Sequence, residues 1–410
     1  MPPSPRSTPR NQGSGARPVV ITHGLRTPIG RFMGAFADLS AADLGVSVVT
    51  DLLRRSGVDR GRVGEFVFGN ARQAGGGPNV ARQVSVRSGL PETVPAYTVN
   101  MACGSGLKSV QLAAEAIAAG RSDIVVAGGT ESMSGLPFFL PKMRAGYRLG
   151  HARAVDAMYQ DGFDCPLAGM VMGATAEGLA KDLRISREEQ DAFALASQTK
   201  ARAAKQAGRF ADEISPVKIP SKKGETTVLE DEHPRPDTTM ETLAKLPAVF
   251  DPKTGTVSAG NSSGITDGAA ALLLMAEETA RELRLEPLAW VGDSTAAGVD
   301  PKRMGIGPVP AVRALQDQNG VAAADYDLIE LNEAFAAQVL ACQRELDLPS
   351  DRLNVNGGAI ALGHPIGATG ARIVVTLLHE LRRRKGERGL ATLCISGGMG
   401  LATAFHRNHS

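Results

Sequence analysis

Several features that mark specialised protein classes are scarce in this chain. Its 410 residues include one Trp, four Tyr and four cysteines, the cysteines widely spaced and without a CxxC pair. Thiols so sparse exclude a disulfide framework and fit a reducing, cytoplasmic compartment. No apolar run reaches the roughly 18 residues of a membrane span, so no membrane insertion is expected. Neither sign of charge prevails: 45 Lys and Arg stand against 43 Asp and Glu, a net charge of +2. Nucleic acid, which calls for a clustered basic face, is not an expected partner. There is no Walker A spacing and no GxGxxG after the first strand, which excludes ATP and NAD as ligands. No cluster has metal-ligand spacing, and no metal is expected.

Glycine, by contrast, is abundant at 47 residues. Glycines beside apolar strands allow a backbone to approach a ligand closely. With 43% hydrophobic residues, the chain is long enough for two or three subdomains. Residues 1–17 are rich in Pro, Ser and Arg and contain no acidic residue. An organelle transit peptide shares that bias, but Pro2, Pro3, Pro5 and Pro9 oppose its amphipathic helix. A disordered tail is expected there.

The most informative stretch runs from Thr98 to Val110 (TVNMACGSGLKSV). Ala96, Tyr97 and Val99 read as a short buried strand. Beyond Gly104-Ser105-Gly106, Leu107, Val110, Ala114 and Ile117 recur at helical spacing up to Gly120. Cys103 therefore sits between a strand end and a helix start, where unpaired N–H groups and the helix dipole favour negative charge. That position predicts a thiol pKa lowered from about 8.5 into the range of roughly 3.5–7.5. A small hydrophobe in a Gly-rich core turn is the plain alternative.

Apolar strands bounded by glycines (Val19–Ile21, Glu65–Phe68, Asp123–Gly129) alternate with helical patterns at Leu44–Leu53 and after Cys103. This β-α-β run predicts a parallel sheet covered by helices. The segment 134–250 is irregular and rich in Met and Phe, and is read as an insertion lying over a site. Within it Ser186 and Glu189 form a capping box for a helix ending near Gly208. Glu213–Leu229 reads as a hairpin around Lys222-Lys223-Gly224, and Thr239–Lys245 as a short helix. Sheet-like sequence resumes at Thr256–Gly264 and Ala269–Met275. Further strands are expected at 325–331 and 393–398, with a Gly-rich loop over Gly363–Gly370 and a helix from about Ala371 to Leu381. Val99-Asn100, a Gly-rich turn, a helix and Ile124–Gly129 correspond in order to Val355-Asn356, a Gly-rich turn, a helix and Thr392–Gly398. Such a duplication would set Cys103 opposite His364 and Cys394.

Each of these residues has a plain structural reading: His364 satisfied by a backbone partner, Cys394 a buried strand-end thiol, Asn332 a helix cap. Together they supply a nucleophilic thiol, a base, an amide able to hold a polarising water and a second thiol for proton transfer at carbon.

Four long stretches carry a family resemblance: Asn100–Gly106 (NMACGSG), Asn332–Phe335 (NEAF), Asn354–Gly370 (NVNGGAIALGHPIGATG) and Cys394–Gly400 (CISGGMG). In these the chain resembles the thiolases, the acetyl-CoA acetyltransferases and 3-ketoacyl-CoA thiolases, from about Pro18 to Phe405. The resemblance implies an α/β fold of two pseudo-symmetric halves in αβαβα layers. The halves would be residues 18–133 with 251–285, and 286–408, with 134–250 as a loop domain over the CoA site. It further implies an acylated nucleophile at Cys103, a thiol-activating base at His364, an acid/base cysteine at Cys394 and an oxyanion-hole asparagine at Asn332. Ala259–Gly264 resembles the pantetheine-contacting loop, with Ala259 and Ser263 in contact. Met172 would lie beside the acyl group and Arg235 at the nucleotide end. Val171, where some short-chain members have His, and Ser396, where Gly is frequent, depart from the pattern.

The implied activity is reversible thiolysis of 3-ketoacyl-CoA, or Claisen condensation of acetyl-CoA. CoA and its thioesters would be substrates rather than cofactors, and a homodimer or homotetramer is expected. A decarboxylating ketosynthase of the same superfamily and a non-catalytic scaffold binding CoA esters are the alternatives.

Overall fold

The computed structural model describes residues 17–221 and 224–408. The tail expected to be disordered lies outside the described residues apart from Arg17, which pairs with Asp123 and Glu278 at 2.7 Å each. A ten-stranded sheet runs through the molecule. Its long strands are β1 (Val19–Arg26), β2 (Glu65–Gly69), β3 (Ala96–Val99), β4 (Ile124–Glu131), β5 (Thr266–Ala276), β6 (Ala289–Gly298), β7 (Leu328–Leu331), β8 (Arg388–Ile395) and β9 (Met399–His406). Their order is β7-β8-β9-β6-β1-β5-β4-β2-β3. The two halves join at a short seam, where Val20 and Ile21 of β1 meet Trp290 and Ala289 of β6.

The sheet is mixed rather than parallel, which corrects the β-α-β expectation. Only β2 with β3, β2 with β4, and β7 with β8 run parallel. The long strand β5 returns from the segment after β4 to pair antiparallel with both β4 and β1, and the tight turn after Ile395 makes β8 and β9 a hairpin.

Alternation along β5 shows how the layers form. Ala270, Leu272 and Leu274 face one apolar cluster, while Ala269, Ala271, Leu273 and Met275 face another. Side chains point to opposite faces with period two, so a strand apolar at every position must be covered on both sides. The covering helices are α1 (Ala41–Ser56) and α2 (Val80–Arg87) outside, and α3 (Ser105–Ala118) inside; α4 (Met172–Asp182) and α5 (Arg187–Gln206) belong to the segment between β4 and β5. Then α6 (Pro308–Asn319) and α7 (Ala336–Leu346) cover the second half, and α8 (Ile366–Arg384) joins α3 in the middle layer. Each fully buried Leu or Ile there contributes about 1.5–3 kcal/mol.

Helix α8 begins at Ile366, five residues before the expected start. Gly367 and Gly370 lie inside the helix, where a loop was expected, because α8 is crossed by α3 at Gly370 and abuts the backbone of Asn70, Ala71 and Thr130 at Gly367. A Cβ on Gly370 would stand 2.2 Å from the Leu107 backbone nitrogen, and one on Gly106 would stand 2.7 Å from that of Ala371. The stretch Thr256–Gly264 is likewise not a strand; it makes only isolated bridges, Ala248 to Ser258 and Ser262 to Phe335. In α5 the capping box holds: Glu189 N–H donates to Ser186 Oγ, and Ser186 N–H donates to the Glu189 carboxylate. The hairpin Val217–Ser221 with Gly224–Val228 is present, while its turn residues 222 and 223 lie outside the described residues.

Candidate active site

Cys103 lies in the turn between β3 and α3, half-buried. The turn is sewn to itself. Ser105 Oγ accepts from Met101 N–H at 2.9 Å and donates to Ala102 O at 2.7 Å, while Asn100 Oδ1 accepts from Ala102 N–H. Ala102 takes φ 46°, a left-handed conformation that a non-glycine residue adopts at about 1–3 kcal/mol and that clusters at functional sites. The dipole argument predicts a depressed thiol pKa, and the structure corrects it. Burial pushes the Cys103 thiol up, and the nearby Arg72 cation with the N–H groups of Ser396 and Cys103 offsets this only in part.

Ser396 comes from the turn that follows Cys394. Gly397 and Gly398 both take φ 86°, and this tight reversal turns the Ser396 N–H to the Cys103 sulfur. The two turns touch: a Cβ on Gly104 would stand 2.5 Å from Ile395 Cδ1. Cys394 itself is buried beside Met304 and Ala334, with Met172 and Phe335 against them. Burial first, then the neighbouring Cys103, holds its thiol well above the usual range.

His364 precedes α8, following Gly363 at φ 105°. Its Nδ1 lies 2.6 Å from Thr369 Oγ1, and that hydroxyl donates to Pro365 O at 2.9 Å. With the hydroxyl proton so engaged, Nδ1–H is the donor and Nε2 is left with a free lone pair. Burial first, then the cations Arg372 and Arg72, pushes the imidazole down to about 3, so it is neutral at physiological pH. Asn332 follows β7 and is fully buried; neither atom of its amide has a hydrogen-bond partner among the described residues. Such an amide can hold a water or a substrate oxygen.

A cavity of ≈ 710 Å³ opens onto His364 and is lined by Met172, Arg235, Ala259, Ser263 and the rings of Phe250 and Phe335, among others. The two rings meet edge to face at 6.3 Å. Ser263 is fixed through its N–H on Ala334 O, and His364 N–H donates to Gly264 O, so one loop touches both the Asn332 and His364 segments. Arg235 is exposed at the rim. Five of the eight residues singled out from the sequence, Met172, Arg235, Ala259, Ser263 and His364, line this cavity, while Cys103 packs against its Met133 and Ile366 and Cys394 against its Met172 and Phe335.

Family comparison agrees with the layered geometry. The thiolase N-terminal domain matches residues 19–278 and the thiolase C-terminal domain residues 285–407. The chain belongs to the thiolase family. It is 51% identical over 391 residues to an acetyl-CoA acetyltransferase of Pseudomonas aeruginosa, covering 95% of this chain and 99% of that one. The solved acetyl-CoA acetyltransferase of Bacillus anthracis superposes with a TM-score of 0.94 at 44% identity, over 96% of this chain and 100% of that one. Human mitochondrial 3-ketoacyl-CoA thiolase superposes with a TM-score of 0.92 at 41% identity, over 96% and 99%.

The structure of this thiolase also brings in residues that the sequence did not single out. Glu177 of α4 accepts from the N–H groups of Thr256 and Val257, and Asn261 bridges Ser258 to Asp191. These bonds take the place of a sheet ladder in shaping the loop that carries Ala259 and Ser263. Glu131 accepts from the N–H groups of Ala71, Arg72 and Gly367, tying the Arg72 turn to the first turn of α8. Thr369 lies within a quoted motif, but only the fold shows that its hydroxyl meets the His364 ring.

Proposed function

We propose that Cys103 is the acyl carrier of this thiolase, His364 its thiol-activating base and Cys394 its acid and base at carbon. The observation that carries this is the meeting of the Cys103 and Cys394 turns, with Cys103 packed against Ile366 of the segment that carries a neutral His364 with a free Nε2. In thiolysis the Cys103 sulfur attacks the 3-keto carbonyl of a 3-ketoacyl-CoA, giving up its proton to His364. The bond between carbons two and three then breaks, and its electron pair passes to the leaving acetyl-CoA enolate, which takes a proton from Cys394. The His364 imidazolium returns its proton to the Cys394 thiolate. CoA, deprotonated by the neutral His364, then attacks the acyl-Cys103 thioester and releases the shortened acyl-CoA, and the departing Cys103 thiolate takes that proton back from His364. Condensation runs the same steps backwards, Cys394 then removing the α-proton of acetyl-CoA.

Asn332, whose amide has no partner among the described residues, would hold a water against the enolate oxygen. The N–H groups of Cys103 and Ser396 face the oxyanion formed at the Cys103 thioester. Ala259, Ser263 and Met172 would contact pantetheine and acyl group, and Arg235 the nucleotide end, with no resident cofactor. The ketosynthase and scaffold alternatives are not favoured.

The test is thiolysis of acetoacetyl-CoA together with acyl-enzyme trapping. Brief exposure to acetyl-CoA should acetylate Cys103, and Cys394→Ala should still acetylate there while losing deuterium exchange at the acetyl α-carbon. Acetylation at Cys394, or unchanged exchange in Cys394→Ala, would refute the assignment. A cytoplasmic homodimer or homotetramer is proposed with it. The free state of all four cysteines supports the compartment, and the exposed stretch 75–79 beside edge strand β3 supports the assembly. Light scattering that finds a monomer at micromolar concentration would overturn the latter.

A further inference from the structure

One wall of the cavity beside Cys103 is an uncommon piece of backbone. Tyr159–Phe163 form a single π-helical turn, a rare form that is frequent at functional sites. Tyr159 and Phe163 line the cavity, their rings edge to face at 5.5 Å. Met158, just before the turn, is buried in a cluster with Ala71, Met133 and Ile366, and both Cys103 and Phe163 pack against that cluster. An acyl chain leaving the Cys103 sulfur on this side meets the Met158 and Phe163 wall.

Arg72 holds the turn in place. Its Nη1 donates to Asp161 O at 2.7 Å, from inside the turn's own backbone. The guanidinium lies face-on to Gly162: a Cβ there would come within 2.7, 2.9 and 3.0 Å of Nε, Cζ and Nη2. Arg72 is 7% exposed, and its Nε has no hydrogen-bond partner among the described residues. Desolvating a guanidinium costs several kcal/mol, which the Asp161 carbonyl bond and the attraction of the buried Glu131 carboxylate together offset. A residue serving only to fill this space would be apolar. The Arg72 N–H meanwhile donates to Glu131, whose other oxygen accepts from Gly367 at 2.8 Å, so the side chain starts from a point fixed to the His364 helix.

We propose that Arg72 is a specificity-determining positioning residue, pinning the Tyr159–Phe163 turn at the depth that confines the acyl group on Cys103 to a short chain. The inference rests on Cys103 being the acyl carrier. It predicts that this thiolase prefers acetoacetyl-CoA to 3-ketooctanoyl-CoA in kcat/KM. Arg72→Met, which fills the space without bonding Asp161, should shift the ratio of the two toward the longer substrate by about tenfold or more, since a few methylenes are worth roughly that in a pocket. Gly162→Ala, which displaces the guanidinium, should shift it the same way, and Arg72→Lys, whose ammonium can still reach the carbonyl, should keep most of the original preference.

A fall in kcat/KM by one common factor for both substrates in Arg72→Met and Gly162→Ala would mean a merely structural role and overturn the proposal. So would an unmutated enzyme that prefers the longer substrate. Met158→Ala trims the wall without touching Arg72; if it alone relaxed the chain length, the wall would stand and the role of Arg72 would fall. Acyl trapping in each variant separates the two levels, because a protein never acylated at Cys103 would fail the reading beneath the proposal. If Arg72→Met does not fold, Gly162→Ala and Arg72→Lys still decide the question through the substrate ratio.

Discussion

The protonation state of the resting Cys103 and His364 pair can be decided by one titration. Cys103 titrates above its ordinary 9.0 because burial outweighs Arg72 and the two N–H groups, and His364 titrates at about 3. At pH 7 such a thiol is protonated. With the thiol raised and the imidazole lowered, proton transfer at rest is opposed before the attraction of the resulting charges is counted. The resting pair is therefore neutral, and the thiolate forms only as substrate takes up its charge. Iodoacetamide alkylation of Cys103, followed by mass spectrometry of its peptide, reads the thiolate directly. Its rate should climb with unit slope through pH 8 and past 9 without a plateau, and His364→Ala should leave that slope unaltered. A plateau below pH 8 that vanishes in His364→Ala would show a standing thiolate–imidazolium pair and refute the reasoning.

Three further outcomes follow from other contacts. Thr369→Val should leave the buried Nδ1–H of His364 without an acceptor, lowering kcat/KM by roughly 5–150-fold (about 1–3 kcal/mol), with Thr369→Ser restoring most of it in a thiolysis assay. Because the folded His364 titrates at about 3 against its ordinary 6.5, the unfolded chain binds the proton first on acidification. The stability of the neutral ring is complete above pH 6.5 and lost as pH falls toward 3, so the melting temperature of His364→Asn should fall less steeply below pH 6.5 than that of the unmutated protein. Gly370→Ala forces a methyl against backbone and should destabilise by about 1–3 kcal/mol or more, whereas Gly178→Ala, also within a helix but with open space around it, should stabilise by roughly 0.5–1 kcal/mol; thermal melts of the two should move in opposite directions.

The candidate site was legible because its residues lie at glycine-framed ends of strands and starts of helices, where local sequence alone reports a turn. Strand direction was not, since the continuous apolar run Ala269–Met275 reads the same whichever way the strand runs. Gly367 and Gly370 read as a loop because the reasons for them, the backbones of Asn70 and Thr130 for the one and of α3 for the other, lie more than 200 residues away. The Cys103 thiol was misjudged for a related reason: its dipole is local, whereas its burial is made by Met133 and Ile366. Thr256–Gly264 has strand-like composition, yet its N–H groups are taken by Glu177 and Asn261, whose positions depend on α4 and α5. Arg72 gave no signal at all, as one arginine among 45 cations that mostly face solvent.

The glycine crossing of α3 and α8 has a kinematic consequence. Backbone rests on backbone at Gly106, Leu107, Gly370 and Ala371, so no rotamer there can absorb a shift of one helix against the other. The helices that carry the thiol and the imidazole meet in a joint without play. Their separation is thereby insulated from changes in the outer helices and at the cavity mouth, which have side chains in which such changes can be taken up. Substitutions can accumulate at Arg235, Val171 or the rim while Cys103 and His364 keep their spacing, and amides at the crossing should rank among the slowest in the molecule to exchange with solvent.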